Sequence, residues 1–125
     1  MNSKKFSFTE RLKSFRYAFK GIGFLVSGEH NAWIHCFAAV LVIVCGYLLE
    51  LSSIEWIAVI FAIGFVFAME AINSSVEALC DFVSPEHRPV IGKVKDLAAG
   101  AVLIAAITAA LIGGIIFFPK IIVLF

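Results

Sequence analysis

The sequence predicts an all-α membrane protein, a surface helix followed by three spanning helices, and three observations carry that prediction. Of 125 residues, 62% are apolar and 15% charged, a balance foreign to a soluble globule. The apolar residues gather into three runs, 31–49, 54–72 and 97–118, each close to the ~20 residues that cross ~30 Å of hydrocarbon as a helix. The charges are segregated: nine of the ten Lys and Arg precede the first run or lie between the second and third, and only Lys120 follows the third. Cationic loops stay on the cytoplasmic side. The N-terminus and the loop before the third span are therefore expected in the cytoplasm and the C-terminus outside. A chain of this length leaves room for one domain, 1–125.

The first element is a helix over about 7–27. Phe8, Leu12, Phe15, Phe19, Ile22 and Val26 recur at steps of four and three, with Lys13, Arg16 and Lys20 between them. That period makes one apolar face. Ser7 and Glu10 suit a capping box and Gly28 a stop. An aromatic face with basic flanks suits the membrane interface, where the cations meet lipid phosphates. These residues hold no long apolar core and no small-residue cleavage pattern, so they are expected to belong to the mature protein.

The first span, 31–49, is followed by a short turn carrying Glu50 and leading to Glu55. The second, 54–72, continues to 83 as a helix with one polar side. Pro85 and Pro89 bracket a polar turn, 84–92, expected to be irregular. In the third span Ala101, Ala105, Ala109 and Gly113 repeat at every fourth residue, a smooth ridge against which another helix can pack. Cys36, Cys45 and Cys80 lack C-x-x-C spacing and read as apolar filler. A net charge of +1 implies no bulk attraction to nucleic acid.

The polar side of the second span is the most informative feature. Glu70, Asn73, Glu77 and Asp81 stand three, four and four residues apart, within about 80° of one another at ~100° per residue. The fourteen residues before them, 56–69, carry no charge. A carboxylate at the inner end of so apolar a run costs several kcal/mol unless it is paired, and such residues are functional candidates. Close by in sequence come Glu86, His87 and Arg88, then Lys95 and Asp96, and Glu29 precedes the first span. Carboxylates suit Mg²⁺, the cations suit phosphate oxygens, and a remaining carboxylate can act as a base, so the set fits a magnesium-bound polyphosphate. No G-x-x-x-x-G-K-[ST] motif occurs, so a nucleotide would bind without a P-loop. Two other classes compete. Intramembrane carboxylates also mark proton or cation transporters, but here there is no inverted repeat and no carboxylate within spans one or three to continue a path. A non-catalytic scaffold assembled through the alanine ridge would not need the phosphate-suited cations. His35, near the start of the first span, reads first as an interfacial hydrogen-bonder and second as a catalytic group.

The run Glu70-Ala71-Ile72-Asn73-Ser74-Ser75-Val76-Glu77-Ala78-Leu79-Cys80-Asp81, with Lys95-Asp96 and the small-residue stretch after it, resembles the signature of the prokaryotic diacylglycerol kinase family. The resemblance extends over nearly the whole chain, from Tyr17, Lys20 and Gly21 onward. It implies a homotrimeric enzyme of the bacterial inner (plasma) membrane, with sites shared between subunits. Such an enzyme moves the γ-phosphate of Mg·ATP to a membrane lipid alcohol, diacylglycerol or undecaprenol. It further implies Glu70 as the catalytic base, Glu29 and Glu77 as metal ligands, and Tyr17, Glu86, Lys95 and Asp96 as nucleotide contacts, with His87 and Arg88 in the same loop. By position rather than by resemblance, Asn73 between Glu70 and Glu77 reads as orienting its neighbours, and Asp81 as a supporting residue salt-bridged to a basic residue of the loop. Two positions depart from the proteobacterial pattern: Glu10 with Arg11 after it replaces a basic residue, and His35 replaces an acidic one. Glu29-His30-Asn31 with Ile34-His35 looks more like the branch that includes undecaprenol kinases.

Overall fold

The computed structural model describes residues 5–125, which form four helices: α1 (Phe8–Gly28), α2 (His30–Leu48), α3 (Ser53–Val83) and α4 (Pro89–Val123). The last three are long and apolar enough to cross a membrane. In helix α1 the Ser7 hydroxyl accepts a hydrogen bond from the Glu10 N–H, which gives the Ser7 half of the expected capping box. The helix ends at Gly28 without the positive φ that makes glycine a helix stop. The break is made instead by Glu29, whose extended backbone (φ −112°, ψ 124°) closes α1 and opens α2. Along α1 only Leu25 is buried; Phe8, Leu12, Phe15, Phe19 and Ile22 are exposed, an apolar face that the rest of the described chain leaves uncovered.

Helix α3 starts with a full capping box, Ser52-Ser53-Ile54-Glu55, in addition to the one expected at Ser7. The Ser52 hydroxyl accepts from the Glu55 N–H at 3.2 Å, and the Glu55 carboxylate accepts from the Ser52 N–H at 2.9 Å. Two donors that a helix start leaves orphaned are thereby satisfied. The α2–α3 turn passes through Glu50, the one non-glycine residue with positive φ (53°) among the described residues. It is closed by the Leu51 N–H on the Gly46 carbonyl. Around this turn Leu51, Val59 and Ile116 form the buried apolar core, with Val42, Trp56 and Ile112 against it. An ion pair from Lys120 to Glu55 at 3.1 Å ties the same ends of α3 and α4 together.

Helix α4 is longer at both ends than the 97–118 run. The expected irregular turn 84–92 shrinks to 84–88, because Pro89 occupies the first helical position. There proline gives up an N–H that would be unbonded anyway, and its fixed φ suits a helix. At the other end α4 passes through Pro119 to Val123. Helix α4 packs mainly on α3. On its small-residue ridge Ala105 is fully buried, while Ala109 and Gly113 line a cleft between α2, α3 and α4. The ridge is thus largely used within the chain. Helix α1 and the 84–88 loop lie at the same end of the three long helices, the end expected from the charge distribution to be the inner one.

Candidate active site

The polar stripe of α3 runs from buried to exposed. Glu70 is 1% exposed, Asn73 is buried, Glu77 is partly buried and Asp81 is open to solvent. Period and burial together make it a ladder of oxygen atoms leading from the apolar interior to the inner surface. At its deepest rung, the Glu70 carboxylate lies 3.0 Å from Nε2 of His35 on α2. This pairing is what makes so buried a carboxylate tolerable. His35 is therefore a hydrogen-bonder, as first read, but its partner is the innermost carboxylate of the stripe. The signal was available in principle: two polar residues in neighbouring spans tend to meet.

One turn further on, the Asn73 amide donates to the Glu77 carboxylate at 3.2 Å. Its carbonyl oxygen is buried and has no hydrogen-bond partner, and the Ser74 hydroxyl is in the same condition. At the exposed end, the Lys95 ammonium donates to Asp81 at 2.5 Å, the salt bridge expected of Asp81. It links α3 to the second turn of α4. Lys95 lies outside the apolar 97–118 stretch, and the hydrogen bond to Asp81, reinforced by that carboxylate's charge, holds the ammonium above the ordinary lysine range.

The remaining sequence candidates are not gathered within one chain. Tyr17 is exposed on α1, and Glu29 is partly buried at the α1–α2 junction. Glu86 and Arg88 face each other at 3.8 Å on the surface, a pair worth little in water. His87 and Asp96 are exposed. Among the described residues no group of three or more His, Cys, Asp and Glu could hold a metal ion. The donor chemistry nevertheless fits Mg²⁺: Glu77 offers a carboxylate beside the orphaned Asn73 carbonyl oxygen. Mg²⁺ is ordinarily bound through one or two carboxylates, with waters and substrate phosphates completing its shell.

Next to the Glu70–His35 pair lies an apolar cleft of about 290 Å³. Val42 on α2, Val59 and Phe67 on α3, and Ala109 and Gly113 on α4 are among its walls, and His35 is the one polar residue lining it. From His35 to Val42 the cleft follows α2 for ~10 Å. A buried carboxylate held by the one polar residue of an apolar cleft, beneath an acidic and basic surface, suits a membrane enzyme that acts on an amphiphile.

The family model of prokaryotic diacylglycerol kinase matches residues 16–117, and the chain belongs to that family. The undecaprenol kinase of Bacillus subtilis is 41% identical to it over 108 residues, 86% of this chain and 88% of that one. A diacylglycerol kinase of Synechocystis is 36% identical over 109 residues, 86% of this chain and 62% of that one. The diacylglycerol kinase of Escherichia coli is 30% identical over 102 residues, 82% and 84% of the two chains. The chain is accordingly a membrane-bound, ATP-dependent lipid kinase, and nothing in these relationships favours a transporter or a scaffold.

Proposed function

We propose that this protein transfers the γ-phosphate of Mg·ATP to the hydroxyl of a membrane lipid alcohol, with undecaprenol the preferred acceptor and diacylglycerol the second. The observation that carries the reading is the buried Glu70 hydrogen-bonded to His35, the one polar residue lining the apolar cleft. An amphiphile whose tail lies among Val42, Val59 and Gly113 brings its hydroxyl to that carboxylate from within the bilayer. The preference for undecaprenol rests on the 41% identity to the Bacillus subtilis undecaprenol kinase. Diacylglycerol remains a second reading because the Synechocystis and Escherichia coli relatives bear that name.

In the reaction, Glu70 accepts the hydroxyl proton as the lipid oxygen forms its bond to the γ-phosphorus. The bond from that phosphorus to the β–γ bridging oxygen breaks, and ADP leaves with the electron pair. General base assistance of this kind is worth ~10²–10⁴ in rate. Glu77 and Glu29, with the Asn73 carbonyl oxygen, would hold Mg²⁺. When bound, the cation neutralises charge on the polyphosphate. Lys95, Arg88 and His87 supply cationic or donor groups to the nucleotide, and Tyr17, Glu86 and Asp96 complete its binding surface. Lys95 must share itself between Asp81 and a phosphate, which its partial exposure permits.

Among the described residues no side-chain hydrogen bond or ion pair joins Tyr17, Glu29 or Asp96 to the α3 stripe, and the homotrimer that the family resemblance implies would complete the site from neighbouring subunits. The enzyme would sit in the bacterial inner (plasma) membrane, with α1 and the 84–88 loop in the cytoplasm where ATP is, and the C-terminus outside. The test is phosphate transfer from labelled ATP by the purified protein in bilayers, with a polyprenol and a diacylglycerol in competition. Phosphorylated polyprenol should predominate. Predominance of phosphatidic acid would replace the first acceptor by the second, and failure of both lipids would refute the assignment.

A further inference from the structure

The Glu70 carboxylate has one side-chain hydrogen-bond partner among the described residues, Nε2 of His35 at 3.0 Å. That ring comes from a different helix and is itself held in place. Phe67, one turn before Glu70 on α3, meets it edge-on, with ring centroids 6.3 Å apart and planes at 74°. His35 is 21% exposed where Glu70 is 1%, and it is the one polar residue lining the apolar cleft. It therefore stands between the buried carboxylate and the space from which a lipid hydroxyl arrives.

We infer that His35 is a positioning residue for phosphoryl transfer: by donating its Nε2–H to Oε1 of Glu70, it fixes the rotamer of the carboxylate and leaves Oε2 to receive the hydroxyl proton. This rests on the reading of Glu70 as the base. A glutamate side chain has three rotatable bonds, and apolar walls offer it no directional contact. A hydrogen bond to a charged acceptor is short, strong and directional, more so at low dielectric. An imidazole protonated at Nε2 and facing a carboxylate is a donor there, so it orients the base without competing for the substrate's proton. A base oriented by a third group is a recurring arrangement around activated hydroxyls. The two elements that must be registered for it, α2 and α3, are joined by the tight turn at Glu50, and Val42 of α2 packs against the Leu51, Val59 and Ile116 core. Placement of the base is thus built into the packing, and His35 sets the last rotation.

The deciding experiment measures kcat, KM for ATP and KM for lipid on the full-length protein in bilayers for His35→Leu, His35→Gln and His35→Asn, beside Glu70→Gln. The glutamine amide reaches as far from the backbone as the imidazole Nε2 and keeps a donor there, whereas the asparagine amide stops about one bond, ~1.5 Å, short. Misplacement of a reacting group by ~1 Å can cost ~10²-fold, so Leu and Asn should lower kcat by ~10–10²-fold with KM for ATP unchanged. Gln should stay within about threefold of the parent, and His35→Leu should add nothing in a Glu70→Gln background, because the two residues act as a unit. A His35→Leu enzyme with parental kcat, or Gln and Asn variants equal to each other, would overturn the inference. Thermal unfolding of each variant separates lost packing from lost positioning, and the Gln–Asn comparison decides the matter even where Leu fails to fold. Should Glu70→Gln itself turn over normally, the base reading fails. Should it be inactive while His35→Leu is normal, only the role of His35 fails.

Discussion

Gly46→Ala places a methyl group where the outer end of α2 meets the start of α3, and the structure sets the scale of the result. A Cβ at this position would lie 2.7 Å from Cη2 and 3.1 Å from Cζ2 of Trp56, and 3.0 Å from Cδ1 of Leu51. Carbon atoms are comfortable at ~3.5–4.0 Å, so the indole must withdraw by ~0.8 Å or tilt. Tyr47 resists, since its ring packs against Trp56 with centroids 5.6 Å apart and an interplanar angle of 64°. Overpacking of this kind costs ~1–3 kcal/mol, and alanine returns ~1 kcal/mol through its helix preference over glycine. The net is a loss of about 1 kcal/mol, a factor of ~5 in the folded-to-unfolded ratio. The assay is SDS-induced unfolding in mixed micelles followed by circular dichroism, paired with steady-state kinetics. Gly46 lies eleven residues beyond His35 on α2, ~16 Å along the axis. The kcat should therefore be unchanged. A more stable Gly46→Ala protein would refute the steric argument, and a fall in kcat at unchanged stability would refute the separation of outer scaffold from inner chemistry.

Glu50→Gly should raise stability by ~0.5–1 kcal/mol, because glycine relieves a left-handed φ that costs other residues ~1–2 kcal/mol, less its own entropy in the unfolded chain; the same SDS titration checks it, and a destabilised variant would show that the Glu50 side chain contributes more than its backbone costs. Glu77→Gln and Glu29→Gln should each raise the Mg²⁺ concentration needed for half-maximal rate, since an amide is a poorer ligand for a hard dication. Parental Mg²⁺ dependence in both would remove them from the metal site. Lys95→Met should raise KM for ATP by ~10-fold or more by removing a cation from the phosphate region while also breaking the link to Asp81. An unaltered KM would leave Lys95 with the α3–α4 salt bridge alone.

The spans and the stripe were legible because each follows from a one-dimensional rule. Hydropathy marks what crosses the bilayer, and the three-four-four spacing of Glu70, Asn73, Glu77 and Asp81 marks one helix face. The start of α4 is hidden because proline in sequence signals a break, whereas at the first helical position it is an initiator. The Ser52–Glu55 box is written in the sequence as S-x-x-E, immediately around the start of the hydrophobic run at Ile54. The His35–Glu70 contact is only half legible: two polar residues in neighbouring spans tend to meet, but their pairing depends on how α2 and α3 slide against each other, which local periodicity does not encode. The same limit applies to Tyr17, Glu29 and Asp96, which the family resemblance names as site residues and which a pattern along one chain cannot place in space.

The claim on which the account turns is that Glu70 takes the hydroxyl proton. Turnover and ATP affinity of Glu70→Gln, with a polyprenol and with a diacylglycerol as acceptors in bilayers, test it most directly. The amide keeps the size of the side chain and the contact with His35 but has no proton affinity to offer, so kcat should fall by at least ~10² while KM for ATP stays near the parental value. Glu70→Asp should recover little, because the shorter side chain withdraws the carboxylate by over ~1 Å from the hydroxyl. Near-parental turnover of the Glu70→Gln enzyme would contradict the account and move the base to another carboxylate of the stripe, Glu77 or Asp81.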